Sequence, residues 1–251
     1  MVAAILSGCS QPQPPPTQVI SFSPVYQDRQ LPCETALSPQ MQWQIDQLWF
    51  YISQVELKTN TGWKKATLVQ NHWQHRHVAL LGQHCIDSDD SNWRLTITPS
   101  ILLKDASQIR FTLGIPFAEN HQNPMRAESI FSNSNMFWTW QQGYKYLRLD
   151  LEHQLTGQNW AFHLGATGCQ SASALRPPST PCEHPNRSKI TIDLPHGPVD
   201  IALDLQQLLG TLALNNQSRC LSLPTQVSCQ SLFQNLGLTH GQSAFKLRKT
   251  N

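Results

Sequence analysis

Charge is scarce in this chain. Asp, Glu, Lys and Arg supply 14% of its 251 residues, the formal net charge is +2, and no run of Lys or Arg occurs. Phosphate recognition needs a concentrated basic face, so the composition argues against a nucleic-acid partner. Long apolar runs are missing too: a membrane-spanning helix needs roughly 20 consecutive apolar residues, and none is present. Gly-x-Ser-x-Gly and His-Glu-x-x-His are absent, and Ser, His and Asp are too scattered to nominate a triad, so the chain reads as a non-enzyme. CxxC spacing is absent throughout, which speaks against a thiolate zinc site.

What is present is a globular composition built for β-structure. Hydrophobic residues make up 39%, with 17 Pro and 12 Gly to punctuate many short elements. From Gln42 onward the pattern turns strand-like: "LWFYISQVELKT", "HVALLGQH", "WRLTITPS", "QIRFTLGIPF", "YKYLRLDLEH", "NWAFHLGA", "KITIDLP" and "VDIALDL". Each is short, rich in β-branched or aromatic residues, and closed by turn formers. Helix signals are few: "ALDLQQLLGTLAL" with Asp204 near its start, and "SLFQNLGL" closed by Gly237. The pattern predicts a mainly β fold, a single antiparallel β-sandwich-like domain with long loops, few short helices and three disulfides. Its longest loop lies between Phe117 and Asn135, a length that is often functional in compact domains.

The chain opens on "MVAAILSGC", a short apolar run ending Leu6-Ser7-Gly8-Cys9. Small residues before a Cys fit a bacterial lipobox, in which the thiol is lipidated and the preceding residues are removed. Residues 1–8 then read as signal, 9–20 as a Pro-rich spacer, and 21–251 as the domain, exported and held by lipid at the outer membrane, facing the periplasm or the outside. Setting Cys9 aside leaves Cys33, Cys85, Cys169, Cys182, Cys220 and Cys229. An even number in an exported chain points to disulfides, and proximity favours Cys169–Cys182 and Cys220–Cys229, leaving Cys33–Cys85.

"MFWTWQQGYKYLRLD" places Trp138 and Trp140 one residue apart, which on an extended strand would set the two indoles side by side. Asn120-His121 precedes the pair and "FHLGATGC", with His163, follows it. Two histidines flanking an aromatic pair in an oxidising compartment raise a copper hypothesis. "HWQHRH" offers His72, His75 and His77, with His75 and His77 on one strand face, a surface site for Zn²⁺ or Cu²⁺ that no carboxylate or Cys completes to a defined geometry. "DSDDSN" (Asp87, Asp89, Asp90) lacks the Gly and Glu of a calcium loop. Cys182 with His184 is no blue-copper site, because Cys182 is needed for a disulfide and no Met follows.

"LWFYISQVEL", "FTLGIPFAENH", "MFWTWQQGYKYLRLD", "FHLGATGC", "CEHPNR" and the closing Cys pair together resemble the MbnP-like proteins, the four-Cys proteins of the metallo-mystery pair system. The resemblance runs from about Ser21 to Phe245; Glu119 departs from it, standing where an aliphatic residue is expected. It implies an exported copper-binding protein with a role in copper homeostasis or acquisition, paired with a di-haem cytochrome c peroxidase-like protein of the MbnH type that oxidises the first Trp, here Trp138, to kynurenine. Cu(I) would be held by the kynurenine, His163 and His121, with Trp140 shielding the site or relaying an electron and Gly143-Tyr144 structural. The alternative is a metal-independent β-sandwich lipoprotein that binds a protein or glycan through exposed aromatics.

Overall fold

A strand of 17 residues organises the molecule. The computed structural model describes residues 17–86, 90–99, 102–195, 197–239 and 242–248. Strands β1 (Gln18–Tyr26) and β2 (Arg29–Gln30) precede the long β3 (Trp43–Thr59). There follow β4 (Gly62–Leu68), β5 (Gln74–His75), β6 (Val78–His84), β7 (Ser91–Asn92), β8 (Arg94–Pro99) and β9 (Gln108–Leu113). Beyond the long loop come β10 (Phe137–Thr139), β11 (Gly143–His153), β12 (Asn159–Gly165), β13 (Ser188–Asp193), β14 (Val199–Asp204), β15 (Cys220–Leu221) and β16 (Phe245–Leu247). The three α-helices among the described residues are short: α1 (Phe117–Asn120), α2 (Leu205–Leu209) and α3 (Val227–Asn235).

The main path of the sheet runs β15-β12-β11-β3-β4-β8-β1-β14-β16, with β6 and β9 also paired to β3. Most pairings are antiparallel; β1–β14 and β12–β15 are parallel. Gln54 has φ of 56°, and the β3–β9 register shifts between Ser53 and Glu56. This bulge bends β3, so its first part pairs with β11 and β6 and its last part with β4. Leu48 through Ser53 are fully or almost fully buried because both faces of this stretch are covered. The curl brings Phe22 and Phe245, from β1 and β16, onto Phe50 and Phe111 of β3 and β9. Such edge-on pairs are worth about 1 kcal/mol each beyond their buried area.

All three disulfides form in the pairing that proximity favoured: Cys33–Cys85, Cys169–Cys182 and Cys220–Cys229. Each adds about 3 kcal/mol, chiefly by restricting the unfolded chain. Asp204 caps α2 by accepting from Gln207 N, and Gly210 at φ 56° ends it. The loop from Phe117 to Asn135 is built of α1 and short 3-10 turns. Tyr51 Oη pins it from the core by donating to Ile130 O at 2.7 Å. Among the described residues no helix is long and apolar enough to cross a membrane.

Candidate metal centre

The site grows from the pairing of β11 with β12. Lys145 lies opposite Gly165 and Arg148 opposite His163, with the register shifting between Lys145 and Leu147. Residues paired across a ladder share a face. The irregularity therefore keeps Lys145 on the same face as Arg148 and Asp150, although it sits three residues before Arg148. His163 Nε2 donates to Asp150 Oδ1 at 2.7 Å, and Arg148 donates to Asp150 Oδ2 at 2.7–2.8 Å. A carboxylate only accepts, so Nε2 carries the proton and Nδ1 is the nitrogen of His163 that offers a lone pair. Burial pushes the Asp150 carboxyl up, but the hydrogen bond from His163 and the charge and hydrogen bond of the Arg148 guanidinium outweigh it and hold it below its ordinary value.

The two cations of this face hold the segment that delivers Trp138. Lys145 Nζ donates to Asn135 O at 2.8 Å and Phe137 O at 3.2 Å, and Arg148 Nη1 donates to Asn135 O at 2.7 Å. Burial lowers the Lys145 pKa from 10.5 to about 8, with the Arg148 charge adding to the drop and Asp150 opposing it. Lys145 Nζ lies 5.7 Å from the centroid of the Trp138 ring. The benzo edge of that ring rests on Gly165: a Cβ there would sit 2.5 Å from Trp138 Cζ3. Trp138 thus occupies the face that presents His163, two residues and about 7 Å along the strand from Gly165.

His121 stands elsewhere. Its Nδ1–H donates to Trp140 O at 3.3 Å while Trp140 Nε1–H donates to His121 O at 2.9 Å, a reciprocal pair. Nε2 accepts from Asn120 Nδ2 at 3.1 Å and lies 3.7 Å from Cys182 Sγ. Burial lowers the His121 pKa, partly opposed by the Trp140 carbonyl, and so favours the neutral ring with its lone pair on Nε2. Asn120 is 1% exposed and also accepts from Tyr144 N and donates to Gln142 O. A Cβ on Gly143, at φ 77°, would lie 2.3 Å from Asn120 Nδ2, so the turn into β11 requires glycine.

Two expectations need correction. Trp138 and Trp140 do not lie side by side: β10 ends at Thr139, whose Oγ1 accepts from Gln142 N, and Trp140 already belongs to the turn. Among the described residues the two rings form no pair; Trp138 meets Lys145 and Gly165, whereas Trp140 meets His121. Both indoles are half-buried rather than presented as an exposed aromatic pair. Nor do His75 and His77 share a strand face, because Arg76 turns the chain with φ of 54°. Carboxylates come to them from the long loop: Glu119 approaches His77 at 2.9 Å and Glu128 approaches His75 at 3.7 Å. Glu119, the departure from the family pattern, thereby ties the loop to the β5–β6 turn. Cys9, Asp87 and Asp89 lie outside the described residues.

One further grouping has ligand atoms close together: His121, Cys169 and Cys182, all within 4.8 Å of one another. The two sulfurs are bonded to each other, so they offer no thiolate in this state. Lys145, Arg148, Asp150 and Gly165 have no role in the sequence reading. For the three charged residues the signal is charge inside an otherwise buried strand, with Arg148 and Asp150 at the spacing that puts both on one face.

A family profile, MbnP, matches residues 16–228. No curated protein matches. A solved structure, MbnP from Methylosinus trichosporium, superimposes with a TM-score of 0.73 at 22% identity, over 88% of this chain and 89% of that one. At that identity the likeness concerns the fold, whereas the profile spans most of the chain, and on that ground the protein belongs to the MbnP family.

Proposed function

We propose that this chain is an exported Cu(I)-binding protein of copper homeostasis or acquisition, lipid-anchored through Cys9 at the outer membrane, whose site is completed by oxidising Trp138 to kynurenine. The reading rests chiefly on one observation: a half-buried indole lies on a glycine, on the strand face that presents an aspartate-backed histidine. Three disulfides are the covalent pattern of an exported chain and agree with this setting.

The donor chemistry fits a soft cation. Intact indole has an N–H donor and no lone pair to give. Four-electron oxidation of its Cγ–Cδ1 bond by the haem partner puts an oxygen on each carbon, and hydrolysis releases Cδ1 as formate, leaving an arylamine and a ketone; the amine nitrogen can coordinate. Cu(I), once bound, is a soft, filled-shell ion that accepts few ligands and tolerates neutral nitrogen. His163 would present Nδ1 on the Trp138 face; His121, whose Nε2 is turned to Asn120 and Cys182, would have to swing toward that face to join as the second imidazole. Asp150 fixes the tautomer of His163, and the Trp140 carbonyl fixes that of His121. Trp140 shields His121 or relays an electron toward the oxidant, a di-haem cytochrome c peroxidase-like protein of the MbnH type.

The test is a Cu(I) titration of chain produced together with that partner, against Trp138→Phe produced in the same way. The variant should keep its fold and lose tight binding. Equal affinity in the two proteins would overturn the reading.

A further inference from the structure

We propose that the Cys169–Cys182 bridge masks a second, redox-gated site for a thiophilic d10 cation, formed by both thiolates and His121 Nε2 once the bridge is reduced. Ligands lying about 2.0–2.3 Å from a shared ion must fall within roughly 4.6 Å of each other. The three ligand atoms lie within 4.8 Å of one another, a few tenths of an ångström from that limit. His121 Nε2 lies 3.7 Å from Cys182 Sγ. Asn120, which now donates to Nε2, keeps its bonds to Tyr144 N and Gln142 O if that contact is given up.

The surroundings suit the switch. Thr167 and His184 pair through two backbone hydrogen bonds of 2.9 and 3.0 Å, and Glu183 N donates to Gly168 O. Those bonds hold the flanks of the two cysteines together whether or not the sulfurs are joined. Most of the excursion between the cysteines is exposed, so the sulfurs can separate without opening the sheet. A cavity of about 250 Å³, walled by Phe117, Tyr146, Ala166, Pro181, Pro185 and Arg187, opens onto His121 and Cys182. Apart from the Arg187 guanidinium its walls are apolar or aromatic, which disfavours a strongly hydrated ion, and two thiolates would offset the guanidinium charge.

The chemistry balances with an external dithiol. Its thiolate attacks one sulfur, the Cys169–Cys182 bond breaks through a mixed disulfide, and the reductant leaves as its own disulfide, having passed on two electrons. The two new thiols lose their protons when the cation binds. The proposal does not depend on Trp138. His121 can serve only one ion at a time, so this site and the kynurenine site exclude each other.

The experiment uses the full chain carrying Trp138→Phe, which removes the kynurenine site, and titrates Cd(II) before and after dithiol treatment while following thiolate-to-metal absorption in the ultraviolet. The oxidised chain should show no band, and the reduced chain should gain one saturating at a single equivalent. The same reduction applied to Cys169→Ser/Cys182→Ser, which retains the other four cysteines of the domain, should give no such band. His121→Gln, which keeps both thiols, should weaken binding at least about tenfold. Equal uptake by the serine variant, unchanged affinity in His121→Gln, or loss of the near-ultraviolet circular dichroism on opening the bridge would each overturn the proposal. Should the serine variant fail to fold, His121→Gln decides.

Discussion

Gly165 is the platform on which Trp138 rests, and adding one methyl group there tests the arrangement. A Cβ would lie 2.5 Å from Trp138 Cζ3 and 3.0 Å from both Trp138 Cη2 and Tyr144 O. The first distance is far inside contact, so the indole must lift off the strand. Lys145 lies 5.7 Å from the ring centroid on that face, and the Tyr144 carbonyl belongs to the sheet and cannot yield. Overpacking of this kind costs about 1–3 kcal/mol. At roughly 2–4 °C per kcal/mol for a chain of this size, Gly165→Ala should lower Tm by about 2–12 °C. Phenylalanine lacks the two clashing atoms, so in a Trp138→Phe background the same change should cost about 1–2 kcal/mol less. Thermal unfolding of the four proteins closes the cycle, and near-ultraviolet circular dichroism reports the displaced indole. If Gly165→Ala proves harmless, or costs the same in both backgrounds, Trp138 does not lie on β12 and the proposed site loses its geometry.

Other perturbations reach the same face. Asp150→Asn keeps the volume but weakens the bonds to His163 and Arg148, and should cost about 1–3 kcal/mol at neutral pH in denaturant unfolding. Because the folded-state pKa of Asp150 is depressed, its stabilisation is present above the unfolded value of 3.8 and is lost as pH falls through the folded one; the variant should lack that acid-side dependence. Loss of the carboxylate behind His163 should also weaken Cu(I) binding about 10–100-fold. Lys145 titrates at about 8 when folded and 10.5 when unfolded, so the unfolded chain binds the extra proton between those values and stability rises with pH there. At about 1.4 kcal/mol per unit the full change is on the order of 3 to 4 kcal/mol, and Lys145→Met should remove the part of this rise seen in unfolding measured from pH 8 to 10. Asn120→Ala leaves the buried Tyr144 N–H unpaired and should cost about 1–3 kcal/mol while loosening the turn that carries Trp140.

Much of this architecture can be read from local pattern. The strands from Gln42 onward follow β-branched and aromatic runs, Asp204 and Gly237 mark helix ends, and short separations pair four of the cysteines, which leaves the fifth and sixth to each other. Other features depend on partners distant in sequence. β1 begins at Gln18, inside the segment read as spacer, because its pairing with β14 and β8 supplies an order that its local composition does not announce. The separation of Trp138 from Trp140 follows from the end of β10 at Thr139 and the Asn120 side chain beneath Gly143. Neither can be seen in "FWTWQQG". The His163–Asp150–Arg148 cluster exists only in the register of β11 on β12, and an irregularity between Lys145 and Leu147 decides that Lys145 joins it. Alternation along one strand cannot reveal a shift that two strands make together.

The most direct measurement is mass spectrometry of the peptide bearing Trp138, from protein made with and without the di-haem partner. With the partner, the peptide should carry the mass of a residue that has lost one carbon and gained one oxygen, the change should map to Trp138 and not Trp140, and copper should co-purify with the modified form alone. An unmodified Trp138 in protein that nonetheless holds Cu(I) tightly would contradict the account.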